Sequence, residues 1–230
     1  MEPGLKLTKE DDSSEVDATE YRKVIGCLRY LTHTRPDLAY SVGYVSRYMQ
    51  SPRASHYQAV KYILRYIKGT TDLGIHYKKG GSNMLLGFSD SSFAVDLDDG
   101  KGTTGVVFYF NDGPVAWISQ KQSTVALSSC EAELMAANSA ACQGVWLRGL
   151  LAEMTGRKEE PVMIKVDSQS ATALIKNPGF RSTVATQPSI SRPLVASTGS
   201  RGQLSSSMVG WGAEFVKVLL GTHSTKTEPS

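Results

Sequence analysis

The sequence predicts an α/β protein: a small helical segment, then a mixed sheet made from three antiparallel strands, a helix, a parallel strand and a helix. Three observations predict it. Apolar residues recur at three- and four-residue spacings from Asp17 to about Lys68, the period of amphipathic helices. From Met84 to Gln120 the texture changes to short apolar runs joined by turn residues, with Asn111-Asp-Gly as hairpin chemistry. A long helical stretch then leads to one more short apolar run, Val162-Met-Ile-Lys-Val-Asp167. A strand that follows a crossover helix lies parallel to an earlier strand, with a right-handed connection.

Taken in order, residues 1–16 are polar and acidic, ending in Glu10-Asp-Asp-Ser-Ser-Glu15, and read as a flexible lead-in whose start looks internal to something longer. A first helix is expected from Ala18 to Leu31, with Tyr21, Val24, Ile25 and Leu28 on one stripe. Thr34-Arg-Pro-Asp37 breaks it, and Pro36 suits the first turn of the next helix. That second helix carries Leu38, Val42, Val45 and Met49 on its apolar face and ends at Ser51-Pro52. The third starts near Ser55, with Tyr57, Val60, Ile63, Leu64 and Ile67 inward and Gly69 as a C-cap. Lys61, Arg65 and Lys68 lie on its opposite face. A basic face beside tyrosines suits a phosphate backbone, although a solvated face on a small bundle has the same pattern.

Beyond Thr70, Leu73-Gly-Ile-His-Tyr77 reads as an edge strand or a lead-in. Strands follow at Met84–Asp90, Thr103–Phe110 and Val115–Gln120, separated by the loop Asp96–Gly102 and the turn Asn111–Pro114. The long helix runs from about Ser129 to Met154, closed by Gly156. Ser128 or Ser129 offers its N-cap hydroxyl, and Glu131 stands at capping-box spacing. Glu133 points about half a turn away from Glu131. After the Val162–Asp167 strand comes a short helix, Ser168–Lys176, stopped by Asn177-Pro-Gly179. Residues 180–230 are a low-complexity tail, and its Ser-, Thr-, Pro- and Gly-rich part, Arg181–Ser207, reads as disordered. The expected division is 1–16, 17–78, 79–179 and 180–230.

Charged residues make up 20% of the chain and the net charge is +3. This permits nucleic-acid binding without demanding it. Cys27, Cys130 and Cys142 have no metal-ligand spacing, and an odd number argues against a disulfide framework. A reducing, intracellular location, cytoplasmic or nuclear, is expected. No apolar run approaches the roughly 18 residues of a membrane span, and Met1-Glu-Pro-Gly-Leu-Lys6 is no signal peptide.

One constellation carries chemistry. If the fourth strand lies beside the first, Asp90 and Asp167 sit side by side at the carboxyl ends of parallel strands, where open α/β sheets place their sites. Glu133, in the first turns of the intervening helix, completes a trio. Three carboxylates at one point repel unless cations sit between them. Their hard oxygens favour Mg²⁺ or Mn²⁺. Two such ions about 3.5–4 Å apart are the machinery of phosphodiester hydrolysis.

Several long segments carry a family resemblance. Ala18-Thr-Glu-Tyr-Arg-Lys-Val-Ile-Gly-Cys-Leu-Arg-Tyr-Leu-Thr-His-Thr-Arg-Pro-Asp-Leu-Ala-Tyr40 and Ala59-Val-Lys-Tyr-Ile-Leu-Arg-Tyr-Ile-Lys-Gly-Thr70 resemble the segment after the polymerase palm in copia-type retrotransposon Pol polyproteins. Gly87-Phe-Ser-Asp90, Ala116-Trp-Ile-Ser-Gln-Lys-Gln122, Val125–Ala137 and Val166-Asp-Ser-Gln-Ser-Ala171 resemble the ribonuclease H domain of that family. The resemblance spans residues 17–179, about 70% of the chain. It implies a ribonuclease H-like fold and two-metal hydrolysis of the RNA strand of an RNA–DNA hybrid, with the rest of a Pol polyprotein as a partner. Position by position, Asp90 matches the family's first aspartate, Glu133 the second carboxylate and Asp167 the third. Gln122 and Ser168, within matched motifs, are expected with Lys61, Arg65 and Lys68 among the nucleic-acid contacts.

The departures are equally specific. The family's paired-aspartate polymerase turn has no counterpart, because Asp98-Asp99 sits in the wrong loop. After Phe180 the resemblance stops, and no aspartate follows Asp167 to serve as the fourth carboxylate. Glu214 is the one acid in a possible helix there. A missing final strand predicts an exposed sheet edge, and a frameshifted end would account for the abrupt change. The competing reading is a non-enzymatic remnant that binds nucleic acid or protein. Gly100-Lys-Gly-Thr-Thr-Gly105 spells a dinucleotide fingerprint but opens no helix, and Ser128 and Ser129 have no nucleophile elbow around them.

Overall fold

In a computed structural model of the chain, the described residues are 5–80, 83–156, 161–176 and 195–197. They divide into two compact units, with the boundary between Ile75 and His76.

The helical unit contains α1 (Ala18–Leu31), α2 (Ala39–Val45), flanked by 3₁₀ turns at Pro36–Leu38 and Ser46–Tyr48, and α3 (Ala54–Gly69). Asp17 starts α1 by accepting a hydrogen bond from the Thr19 N–H at 2.8 Å, which satisfies one of the helix's orphan donors. The apolar stripes do what their spacing requires: Tyr21, Ile25, Leu28, Leu38, Val42, Val45, Val60 and Ile63 form one buried core. Leu64 departs from the pattern. It is 43% exposed, because it lies one position past the stripe that Val60, Ile63 and Ile67 already fill.

The segment expected to be a flexible lead-in is instead pinned down over its described part. Leu7 is buried in the helical core. Its N–H donates to the Tyr44 hydroxyl at 3.1 Å, and the Tyr48 hydroxyl donates to its carbonyl at 2.8 Å. Buried His56 accepts from the Arg53 N–H through Nδ1, so its Nε2 carries the proton and donates to the Thr8 carbonyl at 2.9 Å. Further along, Ser55 Oγ donates to Asp11. A pair of leucines spaced by one residue in an acidic stretch is too short a pattern to register as structure, yet one buried leucine with satisfied backbone neighbours is enough to hold it.

The sheet unit contains β1 (Leu86–Ser92), β2 (Thr103–Phe110), β3 (Gly113–Lys121), α4 (Ser129–Thr155), β4 (Met163–Val166), α5 (Gln169–Lys176) and the three-residue β5 (Val195–Ser197). The strand order is β3-β2-β1-β4-β5. The first three pair antiparallel, and β4 lies parallel to β1, the mixed arrangement expected of a ribonuclease H-like sheet. Asn111 and Asp112 make the β2–β3 turn with φ of 51° and 62°, the left-handed pair that a two-residue type I′ hairpin needs. Leu73–Tyr77 forms no strand and is a lead-in, tied by the Tyr77 hydroxyl to the Pro114 carbonyl at 2.9 Å.

Helix α4 presents Ala132, Ala136, Ala137, Ala140 and Gly144 as its buried residues together with Glu133, a small-residue face that lets the helix approach the sheet closely. Gly156 closes it with φ of 63°. The Phe108 ring occupies the space between sheet and helix, where a Cβ on Gly87 would come within 2.5 Å of it and one on Gly144 within 3.4 Å.

Two expectations about the sheet change. Strand β1 continues two residues past Asp90, so that residue lies within the strand. The edge beyond β4 also carries β5, parallel and in register from Met163↔Val195 to Lys165↔Ser197. The apolar Leu194-Val-Ala196 run inside a polar tail is the signal that composition averaging hid. The rest of the tail, residues 177–194 and 198–230, and with it Glu214, lies outside the described residues.

Candidate metal centre

Sheet pairing brings the two aspartates together. The β1–β4 register runs from Leu86↔Met163 to Ser89↔Val166, so the next residue on each chain is Asp90 and Asp167. The third acid arrives through the helix start. Ser128 Oγ accepts from the Glu131 N–H at 3.2 Å, and Glu131 Oε2 accepts from the Leu127 N–H at 2.6 Å. Glu131 is thereby spent on the helix terminus. Glu133, two residues on and rotated by about 200°, turns to the sheet instead.

One ligand oxygen from each of Asp90, Glu133 and Asp167 lies within 4.8 Å of the others. The burial is graded: Glu133 is 9% exposed, Asp90 is half-buried and Asp167 is exposed. Ser91 is the principal neighbour. Its N–H donates to Asp90 Oδ1 at 2.6 Å and to Glu133 Oε1 at 3.1 Å, and its hydroxyl donates to Glu133 Oε1 at 2.8 Å. Glu133 Oε2 is buried, with no hydrogen-bond partner among the described residues.

Electrostatics follow from this geometry. Burial first, then the charges of Glu133 and Asp167, push the Asp90 carboxyl up to about 8, against a small opposing effect of the Ser91 N–H. Burial also raises Glu133, partly offset by the Ser91 hydroxyl. An unpaired buried carboxylate oxygen is costly, and a cation held among the three acids would offset their repulsion. The donor set is all oxygen, which fits Mg²⁺ or Mn²⁺.

The other expected contacts fall differently. Gln122 is 6% exposed, and its amide nitrogen donates to the Ala132 carbonyl at 3.0 Å and to Thr104 Oγ1 at 3.2 Å. It ties the first turn of α4 to the sheet and is turned away from any surface ligand, contrary to the expectation of a nucleic-acid contact. Ser168 Oγ accepts from the Ala171 N–H at 3.1 Å, so that hydroxyl caps α5. Lys61, Arg65 and Lys68 are exposed on α3 of the helical unit, with Lys61 over the Tyr57 ring at 5.1 Å and Arg65 over Tyr62 at 5.2 Å. Sequence reasoning missed Ser91. Its signal was a hydroxyl directly after the strand aspartate.

No family model matches the chain. It is 41% identical over 182 residues, 79% of its length, to the retrovirus-related Pol polyprotein from transposon RE2 of Arabidopsis thaliana. Over 181 residues, 75% of the chain, it is 39% identical to the corresponding polyprotein from transposon TNT 1-94 of Nicotiana tabacum. The chain belongs to the copia-type retrotransposon Pol polyproteins. This Pol-family chain spans 12% of the RE2 polyprotein and 13% of the TNT 1-94 polyprotein. It is also 42% identical over 128 residues, 55% of its length, to the secreted RxLR effector protein 161 of Plasmopara viticola, 90% of which is covered. Among the described residues, no helix is long and apolar enough to cross a membrane, and the three cysteines are free.

Proposed function

We propose that the sheet unit is a ribonuclease H-type nuclease centre that hydrolyses the RNA strand of RNA–DNA hybrids. The observation that carries this reading is the convergence of three carboxylates from β1, α4 and the end of β4 within 4.8 Å, with one buried Glu133 oxygen left unpartnered. Asp90, Glu133 and Asp167 would hold Mg²⁺ or Mn²⁺. The chemistry supplied by the bound ions is activation of water and stabilisation of the leaving oxygen. The chain's own part is to fix the acids: the β1–β4 register sets the aspartates abreast, the helix cap consumes Glu131, and Gln122 holds the turn that carries Glu133. The exposed Asp167 leaves the centre open on one side for a substrate held by phosphate and 2′-hydroxyl contacts. The Lys61, Arg65 and Lys68 face of α3 is a second, sequence-independent phosphate contact. The centre works as part of a larger Pol polyprotein.

The test is cleavage of a labelled RNA–DNA hybrid in Mg²⁺ and in Mn²⁺. Wild type cleaves, and Asp90→Asn lowers the rate by roughly two orders of magnitude or more. Equal cleavage by the variant would refute this site.

A second reading, an inactive remnant that only binds nucleic acid or protein, has one observation in its favour. The centre gathers three acids among the described residues. Absence of cleavage by wild type under both metals, with hybrid binding retained, would establish that reading.

A further inference from the structure

We propose that Ser91 is a positioning residue for the metal centre: it gathers the Asp90 and Glu133 carboxylates by one oxygen each and leaves their other oxygens for the ion. The proposal rests on the metal-centre reading above and adds the residue that gives the site its geometry.

Ser91 follows Asp90 directly in β1, and both side chains meet Glu133, the hydroxyl by a hydrogen bond and the aspartate by a carboxylate oxygen within 4.8 Å. The Ser91 N–H is shared, 2.6 Å from Asp90 Oδ1 and 3.1 Å from Glu133 Oε1. The Ser91 hydroxyl adds a 2.8 Å bond to the same Glu133 oxygen. Glu133 Oε1 therefore has two donors from one residue, and Oε2 has none among the described residues. A glutamate has three side-chain torsions to fix, and a clamp on one oxygen orients the other. Ser91 is 7% exposed, so water does not replace the hydroxyl. The arrangement matches the partner groups that orient metal ligands from behind, whose loss costs about tenfold to a hundredfold in metal affinity.

The experiment measures Mn²⁺ binding to the full 230-residue chain by electron paramagnetic resonance of the free ion, together with melting in EDTA. Ser91→Ala keeps the N–H and loses the hydroxyl. Its Mn²⁺ affinity falls by about tenfold or more, while its metal-free melting stays near that of wild type. Ser91→Thr keeps the hydroxyl on a strand, where β-branched residues are at home, and restores the affinity. A serine that only knits the strand together gives the opposite result: lower metal-free melting with unchanged affinity in the folded fraction, which overturns the proposal. Threonine binding as weakly as alanine overturns it as well. Wild type that binds no Mn²⁺ overturns both this proposal and the metal-centre reading, whereas wild-type binding with an unaffected Ser91→Ala removes only the role of Ser91.

Discussion

In the helical unit a buried guanidinium meets a buried carboxylate; in the sheet unit a buried carboxylate meets two more of its own sign. Arg35 and Asp37 pair at 2.7 Å with side chains 8% and 2% exposed. Arg35 also donates to the Thr70 carbonyl and hydroxyl, each at 2.9 Å. The pair fastens the turn after α1 to the end of α3. Buried Glu133, with half-buried Asp90 and exposed Asp167 beside it, has no such countercharge among the described residues. The first arrangement is satisfied within the fold, and the second is not.

The largest effect should come from breaking the satisfied pair. Asp37→Ala leaves the buried Arg35 guanidinium without its carboxylate, with the neutral Thr70 oxygens as acceptors, and the helical unit loses about 3–5 kcal/mol in denaturant unfolding. A loss below about 1 kcal/mol would mean that the pair is as dispensable as a surface bridge.

The sheet unit should respond to pH in the reverse sense of an ordinary salt bridge. The folded Asp90 carboxyl, raised from 3.8 to about 8, keeps a proton that the unfolded chain has released. Between those two values the native state binds more protons than the unfolded state, so stability in EDTA falls as pH rises. Glu133, also raised by burial, adds to the same slope. Glu133→Gln removes one of the repelling charges, flattens the slope and stabilises the metal-free unit at pH 8 by about 1 kcal/mol. Unfolding at pH 5 and pH 8 with chelator decides it, and a flat or rising wild-type profile sinks the idea.

The smallest effect lies on the exposed face of α3. Replacing Lys61, Arg65 and Lys68 by alanine leaves melting within about 0.5 kcal/mol and lowers the salt slope of hybrid binding by roughly 1 for each phosphate that is no longer neutralised. An unchanged slope would return this face to simple solvation.

Periodicity made the three helices legible, hairpin chemistry the β2–β3 turn, and the handedness of crossover connections the parallel return of β4. The carboxylate trio was legible for a related reason: strand register and one helix cap are short-range rules, and together they set where Asp90, Glu133 and Asp167 go. Residues whose role depends on a distant neighbour were not legible. Leu7 looks like part of an acidic tail until Tyr44 and Tyr48 close on it. Gln122 looks like a surface amide until Ala132 and Thr104 take its nitrogen. Ser91 looks like any strand serine until Glu133 arrives from 42 positions along the chain.

Phe108, fully buried in the core of the sheet unit, acts as the spacer between the layers that carry the acids. Its ring sits where Gly87 of β1 and Gly144 of α4 leave room, on the same two elements that deliver Asp90 and Glu133. A change at either glycine would therefore alter the spacing of the two elements that carry Asp90 and Glu133 without touching an acid. A methyl group gained at Gly87 would come within 2.5 Å of the Phe108 ring, so the ring or the layers around it would have to move.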